Sequence, residues 1–353
     1  MRRGVALVAT TASMATGETF ASFAQRGPLF PSLTRHLGDR MPAVADWEAC
    51  GAQLTSRLVG SATTTTAATP RELDPAMARR VYHLYLPIYF FARDRVLTHR
   101  ANGGHGALAI GLSAPQGCGK TTLVDLLVDS FAADGLRCAA VSIDDFYLTG
   151  PDQDALAAAH PSNPLLQVRG NAGTHDLPLG TSVLTALKGR ASDGARSVRI
   201  PRYDKSARGG RGDRAPESTW PTVPPSDVVL LEGWSAGFAP VPADDAVLAS
   251  QTGLAEVNRR LAAYSAWYSL MDAWIVIAAD DVQSVYTWRL QAEQAMAAAG
   301  RPGMSDAQVA DFVSRYMPAY EAFLPALHAS ATGAGIGSRP TLFVQVDATR
   351  SPV

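Results

Sequence analysis

The stretch GLSAPQGCGKTTLVD, residues 111–125, constrains the fold more than any other part of the chain. It joins ALAIGLS (107–113), a short apolar run with the length of a buried strand, to TTLVDLLVDSFAADG, which sets Leu123, Leu126, Leu127 and Phe131 on one helix face and stops at Gly135. A glycine-broken turn between a strand and a helix is the setting that a phosphate-binding loop requires. Ala114 to Thr121 reads A-P-Q-G-C-G-K-T, the Walker A pattern with alanine at the first glycine position. Gly117 and Gly119 let backbone N–H groups turn toward an anion, and the helix N-terminus adds partial positive charge. Lys120 can reach the β and γ phosphates of a nucleotide, and the Thr121 hydroxyl suits Mg²⁺. Ala114, Pro115, Gln116, Gly117, Cys118, Gly119, Lys120, Thr121 and Thr122 are therefore expected to cradle ATP; the alternative is a glycine-rich turn that binds nothing. No Asn-Lys-x-Asp base-reading motif of a GTPase occurs, and no GxGxxG follows a strand.

Further short apolar runs at 137–143, 197–200, 227–233, 272–279 and 341–346 read as buried strands, with amphipathic runs such as 254–270 between them. Alternating strands and helices predict an α/β fold, a doubly wound and mainly parallel sheet. Residues 19–100 read instead as a helical region packed on that core, with anchors Trp47, Leu54, Leu58, Val81, Leu84, Tyr85 and Ile88. The polar run 61–70 should be an exposed connector, and Pro87 should kink or break its helix. The core is then 101–353. Residues 1–18 carry Arg2 and Arg3 with many Ala, Ser and Thr and one acid, Glu18; they read as a transit remnant or as a disordered terminus.

Composition limits the partners. The 353 residues hold 31 Lys and Arg against 32 Asp and Glu, a net charge of −1, so no global field favours nucleic acid or anionic lipid and a local cluster must meet any anion. Three scattered cysteines form neither a disulfide scaffold nor a CxxC zinc site. No run approaches the ~18 apolar residues of a membrane span. No heptad or long apolar helix face demands a partner, which favours a monomer.

Carboxylates stand where an open α/β sheet binds ligands. Asp144 and Asp145 end the second strand, one placed to accept a substrate proton and the other to hold Mg²⁺ through water. Glu232 ends the strand VVLLEG in the manner of a Walker B acid. Plain acidic strand ends are the competing reading. Two polar segments supply donors: 167–180, with Arg169, Asn171, His175 and Asp176, and 199–214, with Arg202, Tyr203, Lys205, Arg208, Arg211 and Arg214. The second is the local basic cluster that suits a small carboxylate and a transferring phosphoryl group, or else a solvated loop. Cys118, inside the phosphate loop, is either a small packing residue or a thiol whose oxidation would block nucleotide binding.

These motifs together, SAPQGCGKTT, DDFYLT, RGNAGTHD, PRYDKSARGGRGDRA followed by STWP, LLEGW, WRLQAE and MSDAQVADFVSRYMPAYEAFLP, resemble the D-glycerate 3-kinases of plants and fungi. That group is similar in turn to the phosphoribulokinase and uridine kinase branch of P-loop kinases. The resemblance runs from about residue 27 to the end and is strongest in APQGCGKTT and YDKSARGGRGDRA. It implies the P-loop kinase fold, Mg²⁺ and ATP, and transfer of the γ-phosphoryl group to the 3-hydroxyl of D-glycerate, a step of photorespiration in plants. By the same resemblance Asp144 is the general base, Lys120 acts on the phosphates, and Thr121, Asp145 and Glu232 form the metal shell. Arg169, His175, Tyr203, Lys205 and Arg208 match the substrate-facing motifs. Residues 288–316, with Arg289, Arg301 and Arg315, are a lid by analogy with related kinases, or a plain helical hairpin. Likeness to plant members implies the chloroplast stroma, and likeness to fungal ones the cytoplasm. A kinase for another small hydroxylated metabolite and an ATP-driven switch or assembly factor are the competing functions.

Overall fold

The strand after which the phosphate loop is hung, β1 (Leu108–Ser113), is buried at every position, as a central parallel strand must be. It belongs to a computed structural model that describes residues 18–59, 73–189, 196–300 and 303–353. The chain divides into two compact units, Met1–Phe91 with Ser351–Val353, and Ala92–Arg350.

In the larger unit β1 is joined by β2 (Cys138–Ser142), two small ribbons, β7 (Val228–Gly233), β8 (Ala273–Ala279) and β9 (Thr341–Val346). The ribbons are antiparallel pairs of two residues each: β3 (Val198–Arg199) with β6 (Thr222–Val223), and β4 (Tyr203–Asp204) with β5 (Asp213–Arg214). The remaining five strands form one parallel sheet in the order β2-β7-β1-β8-β9. From β1 the chain crosses to β2 on one side and later continues through β8 and β9 on the other. That reversal opens a crevice at the carboxyl ends of β1 and β7, where ligands of open α/β sheets bind. The helix Lys120–Ala133 packs on β2 and β7, and Met317–Thr332 on β8 and β9.

Five of the six expected strands thus make the sheet. The sixth, at 197–200, does not enter it: Val198 and Arg199 pair in a ribbon, Ile200 N–H donates to the Pro221 carbonyl, and Pro201 has no N–H with which to carry the ladder further. The run 254–270 is also divided, into helices Leu254–Leu261 and Ser265–Tyr268 about a tight turn, while Leu254, Val257, Leu261 and Tyr264 are buried as expected.

The smaller unit is helical, with Phe20–Gln25, Phe30–Leu37, Val44–Val59 and Pro75–Arg79 leading into a helix that runs on past its end to Ala101. Trp47 meets Phe90 edge-on at 4.8 Å, and Phe20 meets Tyr82 likewise at 5.3 Å. The helix is not broken at Pro87. A π-helical turn over Arg80–Tyr85 precedes it, with Leu86 N–H donating to the Val81 carbonyl, and this wider turn makes room for the proline ring. The connector expected at 61–70 and the segment 1–17 lie outside the described residues. Among the described residues no helix is long and apolar enough to cross a membrane.

Candidate active site

The phosphate loop has the conformation that its glycines predict. Gly117 and Gly119 have φ of +79° and +96°, and Gly119 caps the helix Lys120–Ala133. The N–H groups of Gly119, Lys120 and Thr121 make no backbone hydrogen bond, as expected of the first donors of a helix, and that of Lys120 meets the Cys118 sulfur instead. Gln116 N–H donates to the Tyr320 hydroxyl at 3.1 Å, and Arg350 Nε donates to the Gly117 carbonyl at 2.8 Å. The Arg350 guanidinium also lies over Trp288, whose indole N–H donates to the Ala348 carbonyl. The backbone of the loop is therefore held by two side chains from far along the sequence. Ala114 is fully buried, so the small residue in place of the first Walker glycine is a packing residue.

Lys120 Nζ stands 3.6 Å from Glu232 Oε2, an ion pair longer than a hydrogen bond. Burial pulls the Lys120 ammonium down, but Glu232, with help from Asp144, outweighs it and holds it above its ordinary value. Glu232 Oε2 is buried without a hydrogen-bond partner. Burial also pushes the Cys118 thiol up, against the pull of Lys120 and Arg350, so the thiolate expected at this helix end is disfavoured.

The two aspartates after β2 are dealt different partners. Asp144 Oδ2 accepts from Lys205 Nζ at 2.6 Å. Burial alone would raise the Asp144 carboxyl, yet Lys205, Tyr147 and Lys120 together hold it below the ordinary carboxylate range. Asp145 Oδ2 accepts from Arg202 at 2.8 Å, and burial leaves this carboxyl raised in spite of Arg202 and the backbone N–H groups of Ser142 and Tyr203. Among the described residues no three acids, histidines or cysteines converge as a metal cage. The observation that bears on Mg²⁺ is the buried Glu232 Oε2 without a hydrogen-bond partner, an oxygen that suits an ion bound by few protein ligands and keeping its waters.

The cations of the basic segment 199–214 are paired with acids from outside it. Arg208 and Arg211 both pair with Asp154, Arg214 with Asp176 at 3.0 Å, and Arg199 with Glu217 at 3.0 Å. Arg169 donates to the Gly210, Arg211 and Lys205 carbonyls and lies over the Tyr203 ring, tying this segment to 167–180. His175 stacks on Tyr147 at 4.5 Å and its Nδ1 meets the Tyr264 hydroxyl at 2.5 Å. Burial lowers His175 to about 4, so it is neutral near pH 7. Arg169, His175, Tyr203 and Lys205 do converge beside Asp144; Arg208 points to Asp154.

The segment 288–316 comprises the end of helix Ser284–Ala298 and the helix Asp306–Ser314. Arg289 pairs with Glu293 and lies over Phe312, Arg315 pairs with Asp311, and Arg301 falls outside the described residues. Tyr316, which ends the segment, was missed by sequence reasoning. It is buried against Trp234 and Gly170, and burial reinforced by Asp144 raises its hydroxyl. Nothing in its local sequence separates Tyr316 from the other aromatics around it. Arg350 was missed too, since a loop contact across 233 residues has no local signal.

A parallel sheet with a Lys-Thr phosphate loop after its central strand and carboxylates at the neighbouring strand ends defines the P-loop kinase fold. The solved D-glycerate 3-kinase of Cryptococcus neoformans var. grubii superimposes with a TM-score of 0.67 at 34% identity, covering 76% of this chain and 97% of that one. The chain belongs to the D-glycerate 3-kinase family. It is 48% identical over 282 residues to the chloroplastic D-glycerate 3-kinase of Arabidopsis thaliana; the match covers 78% of this chain but only 61% of that protein, less than two thirds of its length. The uncharacterized kinase mug58 of Schizosaccharomyces pombe is 40% identical over 62% of this chain and 81% of its own. No protein-family model matches.

Proposed function

We propose that the protein transfers the γ-phosphoryl group of ATP to the 3-hydroxyl of D-glycerate, releasing ADP and 3-phosphoglycerate. The observation that carries this reading is that Glu232 and Asp144 both act on Lys120, so that the lysine of the phosphate loop and the carboxylates at the ends of two neighbouring strands meet in one place. Lys120 and N–H groups at the start of its helix hold the triphosphate. Thr121 and Glu232 would hold Mg²⁺, which supplies charge neutralisation at the phosphates. Asp144, kept ionised, is the group that accepts the acceptor's proton, and Asp145 serves instead to anchor Arg202. In-line transfer needs little covalent chemistry, so alignment and fixed charge supply most of the catalysis. The segment 288–316 is assigned the role of a cover that excludes water, rooted on the phosphate loop through Trp288.

Likeness to the chloroplastic Arabidopsis protein supports a place in the chloroplast, which fractionation of the source cells would check. The activity is tested by following ADP formation with a panel of hydroxylated acceptors and locating the new phosphate by NMR. Turnover that is the same with and without D-glycerate would remove the kinase reading, and phosphate on carbon 2 would correct the regiochemistry.

A further inference from the structure

Of the six cations in 199–214, five are arginines bound to acids away from the proposed chemistry, namely Asp145, Asp154, Asp176 and Glu217. Lys205 differs in three ways. Its partner is Asp144, the proposed base, and its amine occupies the Oδ2 oxygen at 2.6 Å. Its side chain is the most exposed of the six, at 59%. Its backbone is fixed, because Arg169 holds the carbonyls of Lys205, Gly210 and Arg211, and Asp204 accepts from the Ser206 N–H at 2.8 Å. A lysine with a fixed root, four flexible side-chain bonds and one partner can exchange that partner without moving the loop.

We propose that Lys205 is an exchangeable latch on Asp144: the acceptor's carboxylate takes over the Lys205 amine and thereby frees the oxygen that must receive the acceptor's proton. The latch rests on the kinase reading above and adds to it the reason for selecting an acid. With the latch open, the acceptor hydroxyl oxygen bonds to the γ-phosphorus and its proton passes to Asp144. The bond from that phosphorus to the β,γ-bridging oxygen breaks, and its electron pair leaves on ADP. A neutral acceptor, or water, brings no anion to replace Asp144, so it must break the ion pair uncompensated. The same contact therefore discriminates against neutral alcohols and guards ATP against hydrolysis.

The test compares wild-type protein with Lys205→Met, which keeps the chain length without the charge, and Lys205→Arg, which keeps the charge. Three rates are read with Mg-ATP: kcat/KM for D-glycerate, kcat/KM for glycerol, and ADP formation without acceptor. The expected result for Lys205→Met is a glycerate-to-glycerol ratio lower by about tenfold or more, the range of a charge-assisted contact, with acceptor-free hydrolysis raised relative to glycerate turnover. Lys205→Arg should keep the ratio within about threefold of wild type. An unchanged ratio and unchanged relative hydrolysis in Lys205→Met would overturn the latch. So would an equal loss in Lys205→Arg, which marks a packing effect. Wild-type protein inactive on D-glycerate would overturn latch and functional reading together, which separates the two failures.

Discussion

Asp144 shows how the neighbours of one side chain set its charge. Burial opposes its charge, but Lys205, Tyr147 and Lys120 outweigh that cost, so the carboxyl stays ionised below the ordinary range and can act as a base at neutral pH. Asp144→Asn keeps the shape and removes the proton-accepting oxygen. It should lower kcat by about 10²–10⁴ with ATP binding kept, read from steady-state kinetics and nucleotide titration. A near-normal kcat would take Asp144 out of the role. Its neighbour Asp145, of the same residue type in the same Asp-Asp pair, is bound to Arg202 and pushed the opposite way in pKa. Position within a motif did not distinguish the two; their partners do.

At the scale of elements, the phosphate loop and the helix Ser284–Ala298 are built to fit each other. A Cβ added to Gly117 would stand 2.6 Å from Trp288 Cβ, whereas one at Gly119 would meet nothing within 4 Å. Both glycines have positive φ, so alanine at either costs about 1–2 kcal/mol of backbone strain. Only Gly117→Ala must also displace the helix or the loop. Gly117→Ala is therefore expected to lower the thermal midpoint more than Gly119→Ala does and to raise KM for ATP about tenfold or more. Equal midpoints in the two variants would show that the loop and Trp288 are not packed as described. The π-helical turn before Pro87 and the end of the β3 ribbon before Pro201 follow the same rule, that a proline's missing N–H is accommodated by neighbouring backbone.

At the scale of the whole molecule, buried imidazoles link folding to pH. His175 is lowered from 6.5 to about 4 by burial, and His83 and His328 are lowered by the same cause. Above about pH 6.5 His175 is neutral folded and unfolded, so it adds no pH dependence. Between about 6.5 and 4 the unfolded chain takes up a proton that the folded chain refuses. Stability should fall with falling pH, by about 3 kcal/mol in all for His175, with each pKa unit worth about 1.4 kcal/mol. Calorimetry at pH 5–6 in buffers of different ionisation enthalpy should register net proton uptake on unfolding; none would show that these imidazoles are not held neutral. The sequence by itself determined the phosphate loop, the five sheet strands and the acids at their ends, because each is a local pattern that main-chain geometry reads directly. Only the tertiary structure decided which cation meets which carboxylate, that Arg169 spends its donors on carbonyls, and that Tyr316 and Arg350 reach the site. Those outcomes depend on contacts between residues far apart in the chain, and a side chain's charge fixes its sign but not its partner.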